Sequence, residues 1–298
     1  MRFNISNVTK PNFLIVGAAK SGTTSLANYL NNHPDIFISK IKEPRFLIAD
    51  TIKNTSKKDP SYTHIVKSSV LQTENYFNLF KNKKEKAIGE ASVHYLYHYQ
   101  EAINNIKKYL GTNTKIIIVL RNPVSRAISN WKYQDKDFLD FELAINSENK
   151  RIKEGFNSFW YYSKLGYYHD QVKSYMENFK NTKVILFEDL INNTSDVMTD
   201  LYYFLGVDYN FKNQSYKVHN QSSFSIIPTS RYLKGFLKNQ KRVNAFKKLK
   251  HKNLIPKKLY QIKEDLITEK DIMLLKNLYN EDIKKLQKLI DRDLTNWL

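Results

Sequence analysis

The chain has 298 residues and a formal net charge of +19 at pH 7. It contains no cysteine, which excludes disulfide bonds and thiol chemistry. Its hydrophobic share of 41% is typical of a folded globular protein, and no run approaches the roughly 20 apolar residues that a membrane-spanning helix needs. The excess positive charge suits a phosphorylated small molecule, an acidic acceptor, a membrane surface or a nucleic acid.

The first apolar run ends in a glycine turn, and a helical stretch follows at once. The turn contains Gly17 and Gly22 and continues into the helix with Thr23 and Thr24. Main-chain N–H groups and the positive end of the helix dipole would point at one spot there, which stabilises a bound anion. The predicted donors to that anion are Lys20, Ser21, Gly22, Thr23, Thr24 and Ser25. Thr24 and Ser25 would alternatively be helix caps.

The turn differs from the phosphate loop of ordinary ATPases and kinases. In the Walker A pattern a lysine follows the second glycine, but Thr23 stands at that place here. The lysine of this turn is Lys20, which would reach the site from the other arm. The spacing therefore indicates a phosphate-bearing ligand and argues against a P-loop kinase.

Strands and helices alternate along the rest of the core. Strands are predicted at 12–17, 35–39, 86–90, 115–120 and 183–188, and helices at 24–31, 98–110, 123–134, 168–178 and 195–205. Short continuous apolar runs are typical of parallel strands covered on both faces. The pattern predicts an α/β fold, a P-loop-like doubly wound parallel sheet of about five strands with helices on both faces.

A second anion-binding motif follows the apolar strand at 115–120. An NTPase usually has a magnesium-binding aspartate after such a strand, whereas this chain has Arg121, a fork of donors that suits a second phosphate. Pro123 fits the first turn of a helix, and Ser129 would lie two turns further on. Arg121 could instead pair with a carboxylate, and Ser129 could be a helix hydroxyl. Arg126 and Trp131 are predicted to be packing or surface residues.

The remaining segments carry weaker signals. Residues 50–75 are polar and predict a loop or lid, and residues 135–165 predict an excursion over an acceptor cleft. The acidic residues Asp135, Asp137 and Asp140 predict a solvated turn. No histidine spacing typical of a metal site occurs, so we expect no metal.

The C-terminal region is basic and then helical. Residues 212–262 show little strand character, and the segment 231–258 carries eleven Lys and Arg residues, which predict a solvated face or an anion-binding surface. A final helix is predicted at 269–290, with an apolar stripe that packs on the domain. We expect one domain over 1–298, with a core at 11–210 and a C-terminal region at 211–298.

Together these motifs resemble the sulfotransferases that use 3′-phosphoadenosine 5′-phosphosulfate (PAPS). The turn at 17–25 resembles their 5′-phosphosulfate loop, and Arg121 with Ser129 resembles their 3′-phosphate motif. The segment Lys42-Glu-Pro-Arg-Phe46 is similar to the K-E-x-x-F segment of glycan enzymes, especially heparan sulfate 3-O-sulfotransferases. Two further matches are Gly166-Tyr-Tyr with Glu188-Asp-Leu190, and Asp293-Leu-Thr-Asn-Trp297.

The resemblance implies a reaction and its participants. PAPS would be the donor and adenosine 3′,5′-bisphosphate (PAP) the product, with a hydroxyl acceptor that we expect on a carbohydrate. Glu43 would be the general base and Lys20 would stabilise the leaving 5′-phosphate, while Lys42, Arg45 and His94 would contact the acceptor. Glu43 alone could equally begin a helix or form an ion pair. His94 could be the base, as in cytosolic sulfotransferases, but the usual motif lysine is Ala91 here and the histidine falls one residue late.

Two other functions stay open on sequence alone. One is a P-loop nucleotide or small-molecule kinase, and the other is a non-catalytic module that binds nucleic acid or an anionic surface through residues 231–258. We expect no specific nucleic-acid partner, since no recognition motif occurs. The polar N-terminus predicts a cytoplasmic, bacterial enzyme without a membrane span, for which peripheral membrane association stays open.

Overall fold

The computed structural model describes residues 8–213, 216, 226–237, 240–251 and 254–298. Five strands form one parallel sheet in the order β2-β3-β1-β4-β5. Their bounds are β1 (Phe13–Gly17), β2 (Ile36–Ile38), β3 (Ala87–Ala91), β4 (Lys115–Leu120) and β5 (Thr182–Leu186). The predicted fold class and all five predicted strands are confirmed, with strand ends that differ by at most two residues.

The inner strands are buried on both faces. Along β1, Leu14 and Val16 belong to one hydrophobic core, and Phe13 and Ile15 belong to the other. This division follows from the two-residue period of a strand, which turns successive side chains to opposite faces. It explains why the strands have continuous apolar runs instead of alternating patterns.

Helices cover both faces of the sheet. In chain order they are α1 (Thr23–Leu30), α2 (Ala49–Lys53), α3 (Tyr62–Ser68), α4 (Thr73–Asn78), α5 (Tyr99–Tyr109), α6 (Pro123–Tyr133), α7 (Phe141–Asn146), α8 (Glu148–Lys153), α9 (His169–Asn178), α10 (Phe187–Asn192), α11 (Thr194–Leu205), α12 (Arg231–Phe236), α13 (Gln240–His251) and α14 (Glu269–Ile290). Helices α1 and α11 pack on one face, and α5, α6, α9 and α14 pack on the other.

Two predicted loops contain helices. Residues 50–75 hold most of α2, all of α3 and the start of α4, so the prediction of a loop is wrong for them, and a lid stays a prediction. Ile65 and Tyr76 of these short helices are buried in the core and supply the apolar contacts that hold the helices in place. Residues 135–165 likewise hold α7 and α8.

Asp137 corrects the prediction of a solvated acidic turn. Its carboxylate is buried, where it pairs with Arg151 Nη2 at 2.8 Å and accepts a hydrogen bond from the Tyr162 hydroxyl at 2.7 Å. A buried charge needs such partners, because it has lost its hydration. Asp137 is therefore a structural residue of the α6–α8 region.

Helix α14 completes the core from the end of the chain. Its buried residues Leu275, Tyr279, Ile283 and Leu286 lie at helical spacing, as predicted. Asp282 on the same helix accepts main-chain hydrogen bonds from the start of α9, with 2.7 Å to the nitrogen of Tyr168. The two helices are therefore joined by packing and by a cap.

Residues 226–262 form a small unit with its own apolar centre. Two short antiparallel strands, β6 (Ile226–Pro228) and β7 (Tyr260–Ile262), pair next to α12 and α13. The buried residues of the unit are Ile226, Leu237, Val243 and Phe246. Of the predicted basic segment, Lys238 and Lys252 lie outside the described residues, as do the side chains of Arg231, Lys241 and Lys247.

Lys263 fixes the end of this unit to α6. Its ammonium group is fully buried and donates hydrogen bonds to the carbonyl oxygens of Trp131 at 2.8 Å and Gln134 at 2.9 Å. These carbonyls end α6, where the helix dipole is negative and a cation is stabilised.

Candidate active site

The turn between β1 and α1 exposes main-chain donors. Helix α1 has Gly22 as its N-cap, with no side-chain cap, so neither Thr24 nor Ser25 caps it. The first main-chain bond back into the turn runs from the nitrogen of Leu26 to the oxygen of Gly22 at 3.0 Å. The N–H groups of the first turn have no intrahelical acceptor and point out of the helix start. An anion placed there would receive hydrogen bonds and the favourable end of the dipole.

Gly22 is required at its position for two reasons. Its φ of 81° lies in the left-handed region, which side chains other than glycine disfavour. A Cβ atom there would also lie 2.8 Å from two ring carbons of Phe187. The predicted loop glycine therefore shapes the turn and also lets α10 approach it.

Lys20 lies on the other arm of the turn. Its backbone has a φ of 68°, and its ammonium nitrogen lies 3.9 Å from the ring centroid of Tyr133 at the end of α6. Burial, together with the neighbouring cations Arg121 and Lys42, lowers the pKa of Lys20 to about 8. A bound anion would relieve this repulsion, so the site is electrostatically prepared for one.

Arg121 follows β4 and meets the turn. Its Nη1 donates to the carbonyl oxygen of Lys20 at 3.2 Å, and its guanidinium carbon lies 4.7 Å from the centroid of the Phe187 ring. Strands β1 and β4 are neighbours at which the chain order of the sheet reverses. Ligands of open α/β sheets bind at the carboxyl ends of strands at such a reversal.

Helix α6 starts directly behind Arg121. Asn122 caps it by accepting the N–H groups of Val124 and Ser125, and Pro123 occupies the first turn as predicted. Ser129 lies on the same helix and is half-buried, but no hydrogen bond joins it to Arg121. Arg126 and Trp131 are fully buried, which confirms packing and excludes a surface position.

Glu43 lies beside a buried arginine. The Oε2 atom of Glu43 lies 3.4 Å from Nη2 of Arg45, and the two side chains are only 13% and 8% exposed. Oε2 is buried and accepts no hydrogen bond among the described residues. Apart from this ion pair the oxygen is unoccupied among the described residues, so a substrate hydroxyl could donate its proton to it.

Arg45 is held in place from several sides. Its Nη1 donates to Ser68 Oγ at 3.2 Å, its main-chain nitrogen donates to Ser92 Oγ at 3.1 Å, and its guanidinium lies 5.4 Å from the ring centroid of Phe159. This packing makes Arg45 a rigid partner of Glu43. The predicted acceptor contact of Arg45 stays a prediction.

Lys42 brings the two motifs together. Its ammonium nitrogen donates to Thr24 Oγ1 at 2.6 Å, although residues 42 and 24 lie on different elements. Lys42 directly precedes Glu43, so this bond ties the carboxylate segment to the start of α1. The structure therefore places the segment of the predicted base beside the predicted phosphate turn.

A buried carboxyl group lies behind Glu43. Glu90 at the end of β3 accepts hydrogen bonds from Ser92 Oγ at 2.8 Å and from the Tyr95 hydroxyl at 2.7 Å. Burial raises the pKa of Glu90 to about 7, and the charge of Glu43 adds to the increase. Since Ser92 Oγ also accepts the N–H of Arg45, Glu90 supports the segment that carries Glu43.

His94 is buried and neutral. Its Nδ1 shares a hydrogen bond with Ser158 Oγ at 2.8 Å, and its Nε2 has no partner among the described residues. Burial, with His98, Arg45 and Arg126 nearby, holds the pKa of His94 well below its usual range. These features make His94 a weak base, and they leave Nε2 available to one further hydrogen bond.

Several residues around the site carried no assigned role in the sequence. Phe187 lies against both Gly22 and Arg121, and Tyr133 lies over Lys20. Tyr168 is buried, and its hydroxyl donates to the carbonyl oxygen of Arg121 at 3.0 Å. Phe187 precedes the Glu188-Asp-Leu190 match, and Tyr168 ends the Gly166-Tyr-Tyr match. The two sequence matches therefore indicated these positions but not the contacts that the side chains make.

The described residues show neither a metal cluster nor a membrane helix. Among them, no three His, Asp or Glu side chains converge in a way that could hold an ion. None of the helices that the structure describes combines the length and the apolar character needed to cross a bilayer.

Known proteins share this architecture. A sulfotransferase from Alicyclobacillus acidocaldarius superposes with a TM-score of 0.75 at 29% identity, over 97% of this chain and 99% of that one. A mouse sulfotransferase complexed with PAP superposes with a TM-score of 0.48 at 16% identity, over 93% of this chain and 85% of that one.

Sequence comparison agrees with the fold. A membrane-associated sulfotransferase of Dictyostelium discoideum, kil1, is 30% identical over 125 residues, which is 41% of this chain but only 23% of that protein. The family model described as the sulfotransferase domain matches residues 10–288. That match covers most of the chain, including the turn after β1 and the residues after β4 that form the candidate site. The chain therefore belongs to the sulfotransferase family.

Proposed function

We propose that this protein transfers a sulfuryl group from PAPS to an acceptor hydroxyl on a carbohydrate. The observation that carries the proposal is the meeting of Lys20 and Arg121 at the start of α1, where one cleft offers two cations and free main-chain donors. A donor with separate 5′- and 3′-phosphates matches two such positions. The family membership supports the same donor, and the chain would act as a single domain over 1–298.

The donor would be bound through its two phosphate groups. In this proposal Lys20 and residues 21–25 hold the 5′-phosphosulfate, and Arg121 with Ser129 holds the 3′-phosphate. Both groups are anionic. The turn presents main-chain N–H groups without an intrahelical acceptor, and Arg121 presents guanidinium N–H groups besides the one that bonds to Lys20. The exposed ring of Tyr133 would move with the Lys20 ammonium group when the donor enters.

The transfer would be an in-line displacement. Glu43 Oε2 takes the proton of the acceptor hydroxyl while the acceptor oxygen forms a bond to sulfur. At the same time the bond from sulfur to the 5′-phosphate oxygen breaks. The electron pair of that bond stays on PAP, where Lys20 stabilises the new charge. Positioning and electrostatics supply most of the catalysis in such group transfers. Arg45 would hold Glu43 in position through their ion pair, and Lys42 and His94 would contact the acceptor.

The first experiment measures ligand-dependent thermal stability. PAP without metal is compared with ATP plus magnesium at equal concentration, because a ligand that binds only the folded state raises its stability. We expect selective stabilisation by PAP, and a smaller effect in Arg121→Met. The matched control is Arg292→Met, which removes an exposed arginine that pairs with Asp189 at 2.8 Å. Stabilisation by ATP plus magnesium alone would support a kinase instead.

The second experiment tests the base and the acceptor. Transfer from radiolabelled PAPS is measured with saccharides and with a phenol, in wild type, Glu43→Gln and His94→Asn. We expect saccharide sulfation that falls by at least about 100-fold in Glu43→Gln, the usual size of a general-base contribution, while PAP affinity is kept. Full activity in Glu43→Gln with loss in His94→Asn would assign the base to His94. Sulfation of the phenol alone would refute the carbohydrate acceptor.

A further inference from the structure

The unit at 226–262 has an unusual charge pattern. No Asp or Glu occurs between Asp208 and Glu264, whereas Lys and Arg recur throughout this stretch. In its described part, the side chains of Arg242, Lys248, Lys257 and Lys258 are exposed. The surface of this unit is therefore positive, without carboxylates of its own to neutralise it.

Large apolar side chains are exposed on the same unit. Tyr232 on α12 is 93% exposed and Leu254 after α13 is 65% exposed, and Phe236 and Leu249 are also exposed. The apolar centre of the unit is filled by other residues, Ile226, Leu237, Val243 and Phe246. The unit therefore leaves four large apolar side chains substantially exposed, and a group of such side chains on one surface is typical of an interaction site.

Several of these exposed apolar and basic side chains are neighbours. Tyr232 and Phe236 are four residues apart on α12 and share a face, and Arg242 and Leu249 are seven residues apart on α13 and also share a face. The guanidinium of Arg242 lies 4.6 Å from the ring centroid of Phe236, which joins the two faces. Leu254 continues the surface, because its nitrogen donates to the carbonyl oxygen of Leu249 at 3.0 Å.

We propose that this surface docks on an anionic lipid bilayer. We name it the basic–apolar face and define it by Tyr232, Phe236, Arg242, Lys248, Leu249, Leu254, Lys257 and Lys258. Aromatic and aliphatic side chains of such a face enter the boundary of headgroups and acyl chains, and the surrounding cations attract anionic headgroups. The partner is complementary in charge and in apolar character.

A nucleic acid or an acidic polysaccharide would fit this face less well. Those polymers would use the cations and stack on aromatic rings, but they offer nothing to Leu249 and Leu254. A site at a bilayer interface uses the basic, the aromatic and the aliphatic side chains together. The proposal does not depend on the sulfuryl-transfer reaction, because it rests on a surface separate from the residues assigned to catalysis.

The test is cosedimentation of the full-length protein with vesicles. One set contains phosphatidylcholine alone, and the other contains phosphatidylcholine and phosphatidylserine at about 7:3, an anionic fraction that gives a negative surface potential. We expect binding to the second set only. Lys257→Gln with Lys258→Gln should weaken it by about 10–30-fold, since each lysine near an anionic surface contributes roughly fivefold.

Apolar variants separate a bilayer from other polyanions. Tyr232→Ser with Leu254→Ser should weaken vesicle binding by at least about fivefold, because these side chains enter the interface. Heparin and RNA binding should fall by less than vesicle binding, since those polymers depend mainly on the cations. The matched control is Tyr203→Ser, which removes a 72% exposed tyrosine from α11. It should not change vesicle binding.

Three outcomes would overturn the proposal. They are no binding to the anionic vesicles, unchanged vesicle binding in the apolar double variant, and tighter binding to RNA or heparin than to vesicles. Thermal unfolding of each variant checks that the fold is retained, which we expect because the substituted side chains are exposed.

Discussion

Arg121 donates a hydrogen bond from Nη1 to the main-chain oxygen of Lys20, at 3.2 Å. The two residues end neighbouring strands of the sheet, β4 and β1, and each carries a positive charge toward the same cleft. Their proximity raises the electrostatic energy of the ligand-free protein, and it lowers the pKa of Lys20 together with burial. The proposed doubly phosphorylated ligand would relieve this repulsion on binding.

The Lys20 pKa predicts a pH-dependent affinity for PAP. In the ligand-free protein Lys20 loses its proton as the pH rises through about 8. The bound phosphate favours the charged form, so the affinity should fall above pH 8, and binding near that pH should take up a proton. Calorimetry at pH 8 in buffers of different ionisation enthalpy measures the uptake. Lys20→Arg should bind with much less uptake, and equal uptake in both proteins would contradict the assignment.

Gly22→Ala should destabilise the protein more than Gly111→Ala. Both glycines have positive φ, 81° and 98°, but the added Cβ meets the Phe187 ring only at Gly22, since nothing lies within 4 Å at Gly111. Gly111→Ala therefore measures the backbone cost alone, about 1–2 kcal/mol, and Gly22→Ala adds a steric cost of at least about 1 kcal/mol. Urea unfolding of the two variants gives the comparison. Equal losses would mean that Phe187 moves away freely.

Glu90→Gln should change how stability depends on pH. The folded-state pKa of Glu90 is raised to about 7, so the native protein binds a proton that the unfolded chain has lost, and wild-type stability falls as the pH rises through the window from about 4.5 to 7. The glutamine variant lacks this titration. Between pH 5 and pH 8, the free energy of unfolding of the wild type should therefore fall relative to that of Glu90→Gln by about 1–3 kcal/mol. Urea unfolding at both pH values tests this, and a constant difference would refute it.

Lys263→Met should destabilise the protein by about 1–3 kcal/mol, because it removes a buried ammonium donor from two carbonyl oxygens at the end of α6 and leaves each of them only a main-chain donor. Lys132→Met is the matched control, because Lys132 is a lysine of α6, the helix whose carbonyl oxygens Lys263 binds. It removes a partly exposed ion pair with Glu264 at 2.6 Å, which should cost no more than about 1 kcal/mol. Thermal unfolding compares the two variants. A larger loss in Lys132→Met would show that the buried hydrogen bonds of Lys263 contribute little.

The strands and the glycine turn after β1 were predictable because local chemistry specifies them. A buried parallel strand needs a continuous apolar run, and the turn after β1 needs glycine where φ is positive, so each leaves a pattern of its own. The bond between Lys42 and Thr24 could be expected only from the resemblance, since neither residue indicates the other.

The contacts around these motifs were not predictable for a physical reason. The positions of Phe187, Tyr133 and Tyr168 depend on how distant elements pack, and an aromatic residue in a helix has the same local pattern whether it fills the core or lies over a lysine. The sequences of short helices such as α3 resemble polar loops. Only one residue of α3, Ile65, is buried in the core, so no helical pattern of apolar residues appears. Asp137 was misassigned for the same reason, since its partner Arg151 lies on another element.

The cap that Asp282 provides to α9 has a consequence for the order in which the protein matures. Both proposed phosphate-binding motifs lie before residue 130, whereas Tyr168, which bonds to the carbonyl of Arg121, is held by Asp282 and packs near Trp297 with ring centroids 6.4 Å apart. A nascent chain emerges from the ribosome with its N-terminus first. Until residues 269–297 have left the ribosome, the side of the site behind Arg121 lacks its support, so a nascent chain that ends before residue 269 should not yet bind the proposed ligand PAP.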